Sequence, residues 1–112
     1  MSGVKGSIGL VLATHELASN ISMQILRLGG NAFDAAVAVG FALQVVQPHE
    51  CGLGGEAVIL ATRSGEERPI VICGQGTIPK AATISYYRGL GLAQVPGSGP
   101  LAAVVPGAAL SL

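Results

Sequence analysis

Few side chains in this sequence have the types and spacing that catalysis or metal binding requires. His15 and His49 each precede a glutamate, but they stand far apart, and a histidine beside a single carboxylate is more typical of a helix cap or of the surface. Cys51 and Cys73 have no third ligand at zinc spacing, so we expect two small buried residues with reduced thiols. Ser2 would be an N-terminal nucleophile only after removal of the initiator, and its glycine neighbours are more typical of a frayed terminus.

Two glycine-rich stretches, Gly52–Ala57 and Gly97–Ala102, match the G-x-G-x-x-[G/A] pattern of dinucleotide-binding turns. That turn must lead from a strand into a helix. The first stretch leads from a predicted helix into a predicted strand, and the second contains Pro100. We therefore expect no nucleotide, metal or other cofactor site.

The composition excludes several classes of protein. Of 112 residues, 50% are hydrophobic and only 11% are charged, with six basic and six acidic residues. A nucleic-acid-binding protein needs a basic surplus, and a disordered chain needs low hydrophobicity and high charge. Twelve charges are also few for the surface of a stable monomer. We expect one incomplete domain that is covered by a partner or by further chain.

Targeting signals are not visible. The first residues contain no apolar core of a signal peptide. The longest apolar stretch, residues 35–46, is shorter than the ~20 residues of a membrane span. We expect a cytoplasmic protein without a membrane span.

The positioning elements begin with an early strand and a helix. Ile8–Ala13 is a short branched apolar run that predicts a buried strand. Thr14 is the expected N-cap of the helix that follows, and Gly29 its end. One apolar stripe at helical spacing supports this helix: Leu17, Ile21, Ile25 and Leu28.

A second helix is predicted from Ala32 to about Val46. Asn31 and Asp34 have the N-cap and N3 spacing of a capping box, and Gln47–Pro48 ends the helix. Because this helix is apolar on every face, we expect it to be buried on every face.

A β-hairpin is predicted next, with strands at Ala57–Thr62 and Ile70–Cys73 joined by a polar turn containing glycine. A short helix, Ile84–Arg88, follows with Thr83 as its cap, before a stretch rich in glycine and proline. Pro106–Gly107 is the expected start of a helix, and the sequence ends five residues later. We therefore expect that this sequence is truncated at its C-terminus. The predicted fold class is α+β.

Four segments, taken in order, resemble the start of the gamma-glutamyltransferases, and the likeness continues to Val105–Gly107. The family's patterns are similar to S-H-P-L-A, I-L-x-x-G-G-N-A-x-D-A-A-V-A, V-x-E-P-H and G-x-G-G. The matching segments here are Ala13–Ala18, Ile25–Ala38, Val45–His49 and Gly52–Gly55.

The resemblance implies that residues 1–112 are an N-terminal fragment of an N-terminal-nucleophile hydrolase, with two β-sheets between helix layers. Such enzymes cut themselves into a large and a small subunit. The freed N-terminal threonine of the small subunit, with its own α-amino group as base, attacks the gamma-glutamyl amide of glutathione-like substrates. That threonine and the oxyanion-hole glycines lie downstream, so we expect no catalytic residue in this chain and no activity without its partners, the remainder of the large subunit and the small subunit.

One substrate-binding residue of the family aligns with this chain. The family's stretch D-x-R-E-x-A-P carries an arginine that holds the substrate α-carboxylate, whereas this sequence reads CGQGTIP over residues 73–79. Gln75 replaces the arginine and Gly76 the glutamate. A neutral amide binds a carboxylate less strongly than a guanidinium does. Three hypotheses stay open: a gamma-glutamyl enzyme, an acylase or amidase with a different acyl group, or a non-catalytic interaction fragment. The alternative for Gln75 itself is an ordinary loop amide.

Overall fold

The computed structural model describes Gly3 and residues 5–112, so Ser2 lies outside the described residues. The chain divides into two compact units, one reaching to Gly52 with Leu112 added, the other spanning Leu53–Ser111. Among the described helices, none is long and apolar enough to cross a membrane.

The first unit is a pair of helices, α1 (Glu16–Arg27) and α2 (Ala32–Val46). They meet through small residues, because Ala18, Ser22 and Ala35 are buried. The Ser22 hydroxyl donates a hydrogen bond of 2.7 Å to the carbonyl oxygen of Ala35. Small side chains let two helices approach closely, and this hydrogen bond satisfies the buried hydroxyl of Ser22.

The apolar stripe that predicted α1 is not the buried face of this helix within the chain. Leu17, Ile21 and Leu28 are 55%, 41% and 84% exposed. The face that packs on α2 is instead the one carrying Ala18 and Ser22. Hydrophobic periodicity identifies an apolar face, but not which neighbour covers it.

The turn between the helices confirms the predicted capping box. Gly29 has φ +92°, the left-handed conformation that ends helices. Asn31 Oδ1 accepts hydrogen bonds from the backbone N–H groups of Phe33 and Asp34, and Asp34 Oδ2 accepts from Asn31 N at 2.9 Å. A side chain on Gly30 would come within 2.6 Å of Ile25 Cγ2. The G-G-N-A-x-D-A-A motif is therefore a helix stop followed by a helix start.

Two predictions for the region before α1 are wrong. Ile8–Ala13 forms no strand, since among the described residues the sheet consists of two later strands and a strand needs a paired neighbour. The N-cap of α1 is His15, whose Nδ1 accepts from Leu17 N at 3.2 Å. The Thr14 hydroxyl instead donates to Gln47 Oε1 at 2.7 Å. This hydrogen bond joins the start of α1 to the end of α2.

The second unit contains the predicted hairpin. Strand β1 (Ala57–Ala61) pairs antiparallel with β2 (Ile70–Gly74), so that Ala57 lies opposite Gly74. Both strands begin at the predicted residue. Strand β1 ends one residue earlier than predicted, and β2 ends one residue later.

The predicted short helix is confirmed as α3 (Ile84–Gly89), with the Thr83 hydroxyl accepting from Tyr86 N at 3.2 Å. Tyr87 is buried, and its hydroxyl donates to the carbonyl oxygen of Leu101 at 2.8 Å. A 3₁₀ turn at Pro100–Ala102 was not predicted, and the predicted C-terminal helix is α4 (Ala108–Ser111).

Much of the apolar surface is uncovered in this chain. Leu12, Val45 and Leu60 are 97%, 78% and 70% exposed. The expectation that α2 is buried on every face does not hold within the chain, where Ala35 is its one buried residue. Exposed apolar area on this scale is typical of a surface that other protein covers.

The purified 112-residue chain is therefore expected to self-associate or to bind an apolar dye such as ANS, because water contacts so many large side chains. Sedimentation velocity over a range of concentrations and dye fluorescence measure this. A strict monomer with one sharp, concentration-independent melt and no dye binding would contradict it.

Candidate functional site

The candidate site is the loop that leaves strand β2. Successive residues of an extended chain point to opposite sides. Cys73 and Gln75 therefore share one side, and Gly74 and Gly76 face the other. This alternation separates an outer side that carries functional groups from an inner side that carries no side chains.

The inner side of the loop packs against the C-terminal segment, residues 104–111. A side-chain carbon on Gly74 would overlap the Ser111 hydroxyl and lie 2.5 Å from the carbonyl oxygen of Ala57. A side-chain carbon on Gly76 would overlap the carbonyl oxygen of Val105. A side chain as large as glutamate would not fit at position 76 against this segment.

Backbone hydrogen bonds hold the C-terminal segment in place. Val105 N donates to the carbonyl oxygen of Thr77 at 2.9 Å. Gly107 N and Ala108 N both donate to the carbonyl oxygen of Gly55, at 3.2 and 3.0 Å. The loop that carries Gln75 is thus fixed by backbone contacts on its inner side.

A pocket of about 350 Å³ opens at this loop. Its lining comprises residues 72–77, 105–107, 110 and 111. None of these side chains is acidic or basic, and the polar groups among them are the Gln75 amide, two hydroxyls and the Cys73 thiol. The pocket therefore offers neutral hydrogen-bonding groups to a ligand and no fixed charge.

The predicted substrate residue, Gln75, is exposed and lines this pocket. Cys73 Sγ lies 3.6 Å from Gln75 Oε1, in hydrogen-bonding contact. The expectation of two buried thiols is wrong, because Cys73 is exposed and Cys51 is half-buried. Residues two positions apart on an extended chain point to the same side. This spacing could have predicted from the sequence that Cys73 and Gln75 are neighbours.

The other candidate residues have structural or surface positions. His15 caps α1, and Asp34 completes the capping box. The His49 side chain is 73% exposed, with its Nε2 4.0 Å from Glu50 Oε1. Over the described residues, no group of three or more histidine, cysteine or acidic side chains could hold a metal ion.

Comparison with known proteins decides the family. The model of the gamma-glutamyltranspeptidase family matches residues 18–112. The chain belongs to this family. The region that matches includes the capping motif, the hairpin and the Gln75 loop.

Two curated relatives and one solved structure show the extent of the likeness. The glutathione hydrolase-like YwrD proenzyme of Bacillus subtilis is 43% identical over 86 residues, which are 77% of this chain and 16% of that protein. The oxamate amidohydrolase proenzyme of Klebsiella pneumoniae is 41% identical over 96 residues, 86% of this chain and 18% of that protein. The crystal structure of Helicobacter pylori gamma-glutamyltranspeptidase matches with a TM-score of 0.85 and 34% identity, covering 98% of this chain and 32% of that one.

The chain thus spans less than a fifth of the curated relatives. Its α+β fold corresponds to a part of the N-terminal-nucleophile hydrolase fold of these enzymes.

The close packing behind the loop can be tested in a complete enzyme. The term assembled enzyme here means this chain followed, in one polypeptide, by the downstream residues of the Bacillus subtilis YwrD proenzyme. Gly76→Ala should lower the free energy of unfolding by about 2 kcal/mol, because the added carbon overlaps the Val105 carbonyl. The matched control is Gly97→Ala, since Gly97 has no atom within 4 Å of the added carbon. Urea denaturation of both variants measures the difference, and equal stability would contradict the packing described.

Proposed function

We propose that residues 1–112 form the N-terminal part of the large subunit of a gamma-glutamyltransferase-like enzyme. In this proposal the chain contributes to an αββα sandwich completed by the rest of the large subunit and by the small subunit. Family membership, the match to solved members and the uncovered apolar surface support it. The enzyme would hydrolyse or transfer the acyl group of an amide, with glutathione-like gamma-glutamyl compounds as the first substrate class.

The role proposed for this chain is binding rather than bond breaking. The nucleophilic threonine and the oxyanion-hole donors that the family resemblance implies lie outside these 112 residues. Gln75 would contact the end of the acyl group remote from the scissile amide. The observation that carries this role is the position of Gln75, exposed on a loop fixed from behind and lining a pocket.

A second candidate is an amidase or acylase with a different acyl group. The uncharged lining of the pocket favours it, since a carboxylate would gain only neutral hydrogen bonds there. The oxamate amidohydrolase relative supports it as well, because its name describes an amide substrate outside the gamma-glutamyl class. Both candidates use the same reaction and differ only in the acyl end that Gln75 would contact.

The first test separates an enzyme segment from a non-catalytic interaction fragment. The 112-residue chain alone should release no 4-nitroaniline from gamma-glutamyl 4-nitroanilide above the buffer rate, because it has no nucleophile for the reaction. The assembled enzyme should mature into two subunits and hydrolyse acyl 4-nitroanilides. Activity of the pure chain alone, or an assembled enzyme that folds and matures without any amidase activity, would contradict the proposal.

The second test concerns the acyl end. Gln75→Arg in the assembled enzyme should raise kcat/KM for gamma-glutamyl 4-nitroanilide about tenfold, because a guanidinium makes charge-assisted hydrogen bonds with the α-carboxylate. The matched substrate is the analogue whose α-carboxylate is replaced by a carboxamide, for which no gain is expected. The ratio of the two kcat/KM values is the measurement.

Gln75→Ala is the control variant, since it removes the amide without adding charge and should affect both substrates modestly. If Gln75→Arg leaves the ratio of the two substrates unchanged, Gln75 does not contact the acyl end and is an ordinary loop residue.

A further inference from the structure

Of the two polar atoms in the Gln75 amide, only the oxygen makes a hydrogen bond to a described residue. Cys73 Sγ lies 3.6 Å from Gln75 Oε1. Within the described part of the chain, no hydrogen bond engages Gln75 Nε2. In this contact the Cys73 thiol donates to the amide oxygen, which leaves both N–H groups of Nε2 for a ligand.

Backbone geometry brings these two side chains together. Cys73 is in β2 and Gln75 directly follows its last residue, Gly74. The 3.6 Å contact shows that the two side chains project to the same side. On the other side, Gly74 and Gly76 are held against the C-terminal segment. The loop is therefore fixed, and the remaining freedom of the pair is the rotation of the Gln75 side chain.

We propose that Cys73 is a positioning residue for substrate recognition: its thiol holds Gln75 Oε1 so that the Nε2 N–H groups are presented to the acyl group. This inference rests on the proposed function of the Gln75 pocket. Without the thiol, the amide would rotate freely about its last bond and present its oxygen as often as its nitrogen. An oxygen would repel any acyl group that ends in a hydrogen-bond acceptor.

The orientation also defines a substrate class. Two N–H donors in an uncharged pocket suit an acyl group that ends in a neutral acceptor, such as a carboxamide or ketone oxygen. A neutral acceptor loses less solvation free energy than a carboxylate when it enters such a pocket. The Cys73–Gln75 pair would thus select amides whose acyl group carries a carbonyl acceptor over amides with a plain hydrocarbon acyl group.

The kinetic test uses the assembled enzyme, two variants of Cys73 and two substrates. The substrates are the carboxamide analogue described above and butyryl 4-nitroanilide, whose acyl group has no acceptor at its end. Cys73→Ala should lower kcat/KM about threefold for the carboxamide substrate, mainly through KM, as expected for loss of one weak neutral hydrogen bond, and should leave butyryl 4-nitroanilide unaffected. Cys73→Ser keeps a donor and should restore the preference. Cys51→Ala, which removes the other thiol of this chain, is the control.

A spectroscopic measurement tests the hydrogen bond without relying on activity. The Raman S–H stretching band of Cys73, isolated as the difference between the enzyme and its Cys73→Ser variant, should lie at the frequency of a donating thiol. It should move to that of a free thiol in Gln75→Ala.

Two results would overturn the proposal. In one, the substrate preference is unchanged in Cys73→Ala, or is lost equally in Cys73→Ser. In the other, the Raman band does not respond to Gln75→Ala. An assembled enzyme inactive on every anilide but with the expected Raman shift would instead reject the proposed function and retain the Cys73–Gln75 contact.

Discussion

The position of Gln75 depends on one constraint, the close approach of the C-terminal segment to the backbone of the loop after β2. Gly74 and Gly76 have no room for a side chain, because Ser111 and the Val105 carbonyl occupy that space. The Val105 N–H donates to the Thr77 carbonyl and links the segment to the loop, and the N–H groups of residues 107 and 108 donate to Gly55, which precedes β1. Residues on the outer side of the loop thereby acquire fixed positions without any large hydrophobic core beneath them.

The helix pair follows the same physical principle. The buried residues of its contact are Ala18, Ser22 and Ala35, and its turn is built from glycines and a capping box. The G-G-N-A-x-D-A-A motif is therefore structural: it ends one helix and begins the next within four residues, Gly29 to Ala32. The chemistry attributed to this part of the chain is confined to the loop after β2.

Local features of this fold could be predicted from the sequence because their causes are local. The Asn31–Asp34 capping box, the Thr83 cap and the hairpin each depend on residues a few positions apart. The strand expected at Ile8–Ala13 was wrong because an apolar pattern does not identify the partner that covers it, and for the same reason the apolar stripe of α1 does not show which face is buried. At the candidate site, position 75 was found by resemblance, whereas the packing of Gly76 against Val105 joins residues too distant in sequence for any pattern to show.

The central claim is that Gln75 contacts the acyl end of the substrate in an uncharged pocket. A crystal structure of the assembled enzyme with the carboxylic acid product of its best acyl substrate bound tests this most directly. We expect the remote end of the acyl group to lie in the pocket lined by residues 72–77, 105–107, 110 and 111, with its acceptor atom within hydrogen-bonding distance of Gln75 Nε2. An acyl group whose remote end lies away from this loop, with the pocket filled only by solvent, would contradict the claim.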